Sequence, residues 1–175
     1  MTIPLHGADD RPGRPPLASP LFVTAEGLPL RLRQAGEEDL PELHRLDREV
    51  FGQHAYPYFA LRQLYDLFRA DTFVLDDGRT FHGYVMTGVN ADREGWVLGL
   101  AIDQGWRGLG LGRRLMAESL RGLRVRGVRT VALTVEPSNA AAIMLYASLG
   151  FRRGEERAGY FGPDADRLIM RLALD

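Results

Sequence analysis

The stretch that decides the fold runs from Trp96 to Phe151. It opens on the apolar run Trp96-Val97-Leu98-Gly99-Leu100-Ala101-Ile102, passes through Asp103-Gln104-Gly105-Trp106, and turns at Arg107-Gly108-Leu109-Gly110-Leu111-Gly112-Arg113. Over residues 111–126 apolar side chains then recur at helical spacing. Leu115, Met116, Leu120 and Leu123 face inward, and the arginines form a solvated outer face. A glycine-rich turn between a strand and a helix can aim backbone N–H groups at an anion. Glycines permit close approach, the helix N-terminus adds partial positive charge, and Arg107 and Arg113 flank the turn. The chemistry points to a diphosphate.

Two nucleotide readings fail. A dinucleotide site wants Gly-x-Gly-x-x-Gly and an acidic residue roughly 20 positions on. Counting from Gly110 and Gly112, the third glycine position is Leu115, and Thr130 and Val131 stand where the carboxylate belongs. A P-loop needs Gly-Lys-Ser/Thr, and the chain contains no lysine.

Beyond a buried strand at residues 128–135 comes Leu133-Thr134-Val135-Glu136-Pro137-Ser138-Asn139-Ala140-Ala141-Ala142-Ile143-Met144-Leu145-Tyr146, ending in Leu149-Gly150-Phe151. With these segments the chain resembles the GNAT superfamily of acyl-CoA-dependent N-acetyltransferases. Arg107-Gly108-Leu109-Gly110-Leu111-Gly112 fits that family's phosphate loop, Gln/Arg-x-x-Gly-x-Gly/Ala. Asn139, Ala142, Tyr146 and Gly150-Phe151 fit its Asn-x-x-Ala-x-x-x-Tyr…Gly-Phe signature. The resemblance covers residues 28–174.

The resemblance implies an α/β fold, a central mixed sheet of about seven strands flanked by about four helices. It implies acetyl-CoA as acyl donor and direct transfer of the acetyl group to a primary amine. The pantetheine arm should lie where the strand before the loop splays from the strand before the Asn helix. Leu100, Ala101 and Ile102 would then lend main-chain partners, and Gly99 suits a bulge there. Arg107, Gly108, Leu109, Gly110, Leu111, Gly112 and Arg113 would hold the diphosphate. Asn139 corresponds to a cofactor-contacting residue, and Tyr146 to one that touches the cofactor and protonates the leaving thiolate. A phenol near pKa 10 is a sensible acid for a thiolate whose conjugate acid lies at about 8.5. By spacing alone, Tyr146 reads as an aromatic packed on a helix face beside Leu145.

Composition suits one domain: 175 residues, 45% apolar, net charge −1. That charge makes no case for nucleic acid or an anionic membrane as a partner. With no cysteine, neither a disulfide framework nor a thiolate nucleophile is available, and no metal site is expected. No apolar run is long enough to span a membrane and no signal-peptide core is seen, so a cytoplasmic enzyme is expected, with a homodimer left open.

Pro4, Pro12, Pro15, Pro16 and Pro20 leave residues 1–20 without a periodic apolar face, so a disordered tail is expected, followed by a catalytic domain over residues 21–175. Residues 21–24 read as a short strand and residues 28–33 as a half-buried one after a turn at Glu26-Gly27. Helices are predicted over residues 39–51, with Leu40, Leu43, Leu46 and Val50 inward, and 58–69 after Pro57. A hairpin at residues 71–75 and 81–89, a strand at 95–103, a helix at 139–149 and strands at 151–157 and 167–174 complete the domain.

On the acceptor side, Tyr160-Phe161-Gly162-Pro163-Asp164-Ala165-Asp166-Arg167-Leu168-Ile169-Met170 and Ala55-Tyr56-Pro57 resemble the ribosomal-protein-alanine and eukaryotic N-terminal acetyltransferases. In that branch the two aromatic segments shape the groove, so Tyr56 and Tyr160 are expected to bind the acceptor. The branch places its general base at positions held here by Thr134 and Trp96, and neither accepts a proton near neutral pH. An amine already partly neutral would ease this. An α-amine at about 7.7 to 8 is favoured over a lysine near 10.4. His54, His82, Glu94, Asp103 and Glu136 are candidate relays, and Glu49 could face the groove. The alternatives are a small-molecule amine (an amino acid, polyamine or antibiotic) and a non-catalytic acyl-CoA-binding regulator.

Overall fold

A computed structural model describes residues 21–23 and 29–174. The expected tail and the turn at Glu26-Gly27 lie outside the described residues. The elements are β1 (Leu21–Val23), β2 (Pro29–Gln34), α1 (Leu40–Phe51), α2 (Tyr58–Phe68), β3 (Thr72–Asp76), β4 (Phe81–Val89), β5 (Gly95–Ile102), α3 (Leu111–Val125), β6 (Thr130–Val135), α4 (Ala140–Ser148), β7 (Arg152–Arg157) and β8 (Arg167–Ala173). The strands make one mixed sheet in the order β1-β2-β3-β4-β5-β6-β8-β7. The sheet of about seven strands that the resemblance implied counts eight among the described residues, including the short edge strand read at residues 21–24, whose described part β1 pairs with β2.

Burial explains the layering. In β2, Leu30 and Leu32 are buried while Arg31 is exposed, the signature of a strand covered on one face. In β4 every position from Phe81 to Gly88 is buried, so this strand is covered on both. Tyr84 and Met86 join α1 and α2 in one apolar layer with Leu40, Leu43, Leu46 and Leu61. Val85 joins α3 and α4 in the other, with Leu111, Leu115, Met116, Leu123 and Tyr146.

The one parallel pair among the described strands is β5 with β6, and α3 is the crossover between them. Their ladder joins only Gly95, Trp96 and Val97 to Val131, Ala132 and Leu133. Beyond Val97 the strands part, while β5 stays paired to β4 as far as Ile102. The β5 bulge falls one residue earlier than Gly99. Met86 opposes Gly99 and Thr87 opposes Val97, which leaves Leu98 as the extra residue. Gly99 is small for another reason: a Cβ there would sit 2.7 Å from the Tyr84 hydroxyl.

Behind β2, Arg33 ties the first half of the chain together. Its guanidinium meets Asp39 Oδ1 at 3.0 Å and Asp76 Oδ2 at 2.7 Å, and lies 5.6 Å from the centre of the Phe81 ring. Asp39 and Asp76 are both buried, so the guanidinium neutralises two carboxylates that water barely reaches. Arg33→Ala should therefore lower unfolding free energy by about 3 kcal/mol in urea titration. A loss under about 0.5 kcal/mol would make the cluster ordinary surface charge.

Candidate active site

Where β5 leaves β6, a sheet edge opens inside the molecule. The Asp103 N–H bonds His82 O at 3.0 Å, which fixes which residues of β5 face β4. By strand alternation Gly99 and Ala101 turn their polar main chain toward β4, while Leu100 and Ile102 turn theirs to the open edge. Of the three residues expected to partner the pantetheine arm, Leu100 and Ile102 are thus presented and Ala101 is not. Ala101 packs instead in the α1/α2 layer.

The turn expected to hold the diphosphate follows directly. Gly108 and Gly110 have φ of +81° and +75°, which L side chains rarely adopt, and Gly110 caps α3. The first bond of α3 runs from Arg114 N to Gly110 O, so the N–H groups of Leu111, Gly112 and Arg113 have no acceptor within the helix. Leu111 anchors the turn with a buried side chain, whereas Leu109 is exposed. Gly112 is small because α4 is close: a Cβ would lie 3.1 Å from Leu145. Arg107 reaches back to the open edge, its Nε 3.3 Å from Ile102 O. The Arg113 guanidinium is engaged elsewhere, 2.8 Å from Ser148 Oγ at the end of α4.

Helix α4 carries the remaining residues expected on the donor side. Asn139 is its N-cap, the side-chain oxygen accepting from Ala142 N at 3.1 Å. The cap uses the carbonyl oxygen, which leaves the amide nitrogen as the atom able to donate to a ligand. Tyr146 is buried against Phe151, ring centres 5.9 Å apart. Burial pushes its phenol up to about 12, above the ordinary value the sequence reading assumed.

On the other face, Tyr56 sits in the segment between α1 and α2. Its hydroxyl donates to Leu98 O at 3.0 Å and its main-chain N–H donates to Asp47 Oδ2 at 2.7 Å. Asp47 is fully buried and also accepts from the Tyr84 hydroxyl. Its carboxyl is raised by burial, against the opposing effect of those donors. Beside Tyr56 lies an open cavity of about 330 Å³ that His44, Arg48, Ala55 and Tyr58 also line. Asp47, His44 and Arg48 were missed in the sequence. The signal for Asp47 was there, since it breaks the apolar stripe Leu40, Leu43, Val50 at a stripe position. Tyr160 lies in the β7–β8 turn, edge-on to Phe161 at 4.9 Å, and Arg167 covers the Phe161 ring.

Comparison with known proteins fits this geometry. The acetyltransferase (GNAT) family matches residues 38–151. The chain belongs to that family. It is 34% identical over 143 residues to the [ribosomal protein bS18]-alanine N-acetyltransferase of Escherichia coli (strain K12), covering 78% of this chain and 92% of that one. It is 35% identical over 159 residues to a mycothiol acetyltransferase of Thermobispora bispora, covering 80% of this chain and 52% of that one. The crystal structure of the Escherichia coli ribosomal-protein-S18-alanine N-acetyltransferase superposes with a TM-score of 0.73 at 27% identity, over 83% of this chain and 94% of that one. The protein is an acetyl-CoA-dependent N-acetyltransferase.

The residues present fit the donor. Acetyl-CoA supplies an activated thioester, and the chain offers an open strand edge, an array of N–H groups at a helix start and a neutral phenol. On the acceptor side of this acetyltransferase, the two base positions hold no base. Trp96 donates from Nε1 to Glu94 Oε2 at 3.0 Å, and Thr134 pairs with Ile169 on β8. Of the candidate relays, His82 is buried, stacked on Trp106 at 3.8 Å and 3.1 Å from Asp77, so it braces the turn before the phosphate loop. Asp103 caps that same turn through Gly105 N. Glu94 is held by Trp96 and Arg171, while His54 and Glu136 are exposed. Glu49 lines a cavity of about 400 Å³ with Asp103 and Arg107.

Three outcomes are expected. Tyr146→Phe should cut kcat by about 10²-fold while CoA affinity in calorimetry stays within about twofold. With Tyr146 as the acid the working form would be the protonated phenol, and since burial pushes that phenol up to about 12, wild-type kcat should show no descending limb below about pH 10. A fall centred near the ordinary tyrosine pKa would contradict the burial effect. Gly110→Val forces a branched side chain into positive φ and should raise KM for acetyl-CoA by about tenfold. An unchanged KM would remove the turn from diphosphate binding.

Proposed function

We propose that this acetyltransferase modifies the α-amine of a protein or peptide N-terminus, with Tyr146 as the acid for the departing thiolate and Asn139, Leu100, Ile102 and the 107–113 turn as the donor-holding residues. The observation that carries the acceptor reading is the pair Thr134 and Trp96 beside the wedge, at the two positions where the branch places its base, neither of which accepts a proton near neutral pH. An amine then reacts through its neutral fraction. At neutral pH that fraction is substantial for an α-amine at about 7.7 to 8 and below about 0.1% for a lysine near 10.4. Tyr56, whose hydroxyl reaches Leu98 O at the wedge, and Tyr160 in the β7–β8 turn are assigned to the acceptor, and a relative is named for a ribosomal-protein alanine. We assign residues 21–175 to one catalytic domain and the cytoplasm to its work. Among the described residues no helix is long and apolar enough to cross a membrane.

A small-molecule acceptor is the second reading, favoured by the match to an enzyme named for mycothiol rather than for a protein. Thiol release from acetyl-CoA, measured against a panel of N-terminal peptides and a panel of small amines, separates them. The first reading expects peptide turnover that rises with pH through about 7.7 to 8 and then levels, since the reactive amine is the deprotonated one. Turnover of small amines alone would overturn it.

A further inference from the structure

Asp47 is the most completely buried ionisable group outside the donor site, with no exposed surface. Nothing in the transfer chemistry above uses it, yet its two oxygens are both engaged. Oδ1 accepts from Tyr84 on β4, and Oδ2 accepts from the main-chain N–H of Tyr56. Three elements therefore converge on one carboxylate: α1, which carries it, the central strand, and the segment leading into α2.

The consequence is read at the Leu98 carbonyl. Gly99 turns its N–H toward β4, and across a trans peptide the preceding carbonyl points the opposite way. Leu98 O thus faces the open edge, in the first residue after the last β5–β6 pair, Val97 with Leu133. That oxygen is where the Tyr56 hydroxyl lands. An acceptor-side tyrosine closes on the apex of the wedge, and its main chain is pinned by Asp47. The Tyr84 hydroxyl holds the other oxygen of Asp47 and fills the space that a side chain at Gly99 would need.

We infer that Asp47 is a positioning residue. Through the Tyr56 N–H it sets the acceptor-side segment against the Leu98 bulge, so that the amine is delivered in register with the acetyl group at the wedge apex. Asp47 touches neither donor nor acceptor and acts only through Tyr56 and Tyr84. The inference rests on transfer taking place at the wedge, and not on which amine is acetylated.

The test uses the full chain and the best acceptor from the two panels, so a small-amine result would defeat the α-amine reading and leave this one still measurable. Asp47→Asn keeps the shape and one acceptor oxygen. Tyr56→Phe keeps the ring and removes only the bond to Leu98. Each should raise acceptor KM by about tenfold, with acetyl-CoA KM within about twofold of wild type. Because both act through one linkage, the double variant should raise acceptor KM no more than about either single change. Unchanged acceptor KM in Tyr56→Phe, or single effects that multiply in the double variant, would overturn the inference. Should Asp47→Asn fail to fold, Tyr84→Phe, which removes the donor to the other Asp47 oxygen, takes its place with the same expected rise in acceptor KM, and an unchanged KM there would overturn the inference. A fall in melting temperature with both KM values unmoved would make Asp47 a purely structural carboxylate.

Discussion

The structure depends on a sheet edge that is left open. Backbone N–H and C=O groups inside a protein are nearly always paired, because an unmet one costs free energy comparable to a lost hydrogen bond. Yet β5 and β6, neighbours in the middle of the sheet, share only three paired positions before they separate. Leu100 and Ile102 then present main-chain groups toward a gap instead of a strand. The rest of the fold makes this tolerable. On its other side β5 is paired with β4 from Gly95 to Ile102 except at the Leu98 bulge, and β4 is a strand buried on both faces, so the open edge is backed by a well-covered part of the sheet. Such an edge is ready to pair with any ligand that carries amides of its own.

Electrostatics follow from the same topology. Strands β5 and β6 are parallel, so their C-terminal ends lie at the same end of the sheet, and each is followed by a helix. The N-termini of α3 and α4 therefore gather where the strands diverge, the general position for ligands in parallel sheets. At α3 the glycines at 108 and 110 open the turn and leave three N–H groups free. At α4, Asn139 caps the helix and Tyr146 lies about two turns in, buried and protonated. The N–H groups proposed to bind the diphosphate, at the start of α3, and the phenol proposed as proton donor, in the last turn of α4, thus come from two helices that a single strand arrangement brings together. Gly112 against Leu145 sets how closely those helices approach.

What could be read in the sequence was whatever local pattern or the resemblance encodes. Helical spacing placed α1, α2, α3 and α4 within a residue or two of their ends, and alternation placed β2. The glycine-rich turn was readable because positive φ at positions 108 and 110 favours glycine. Long-range contacts were not readable. The bulge was expected at Gly99 and sits at Leu98, because the space at Gly99 is claimed by Tyr84, fifteen residues away across the β4–β5 pair. Arg113 looked like a second charge for the turn, but its partner Ser148 lies on another helix. Ala101 was counted with its neighbours because direction along a strand edge depends on register, which no single strand reveals. Asp47 was passed over because a charge near an apolar stripe is most often at its border. Here three elements enclose it.

The most direct test of the open edge is amide hydrogen exchange of β5 with and without CoA. Leu100 and Ile102 should exchange faster than Ala101 in the free protein, and both should become protected when CoA is added, while Ala101 hardly changes. If Leu100 and Ile102 are as protected as Ala101 before CoA is added, or if CoA leaves them unprotected, the edge is not where the donor binds.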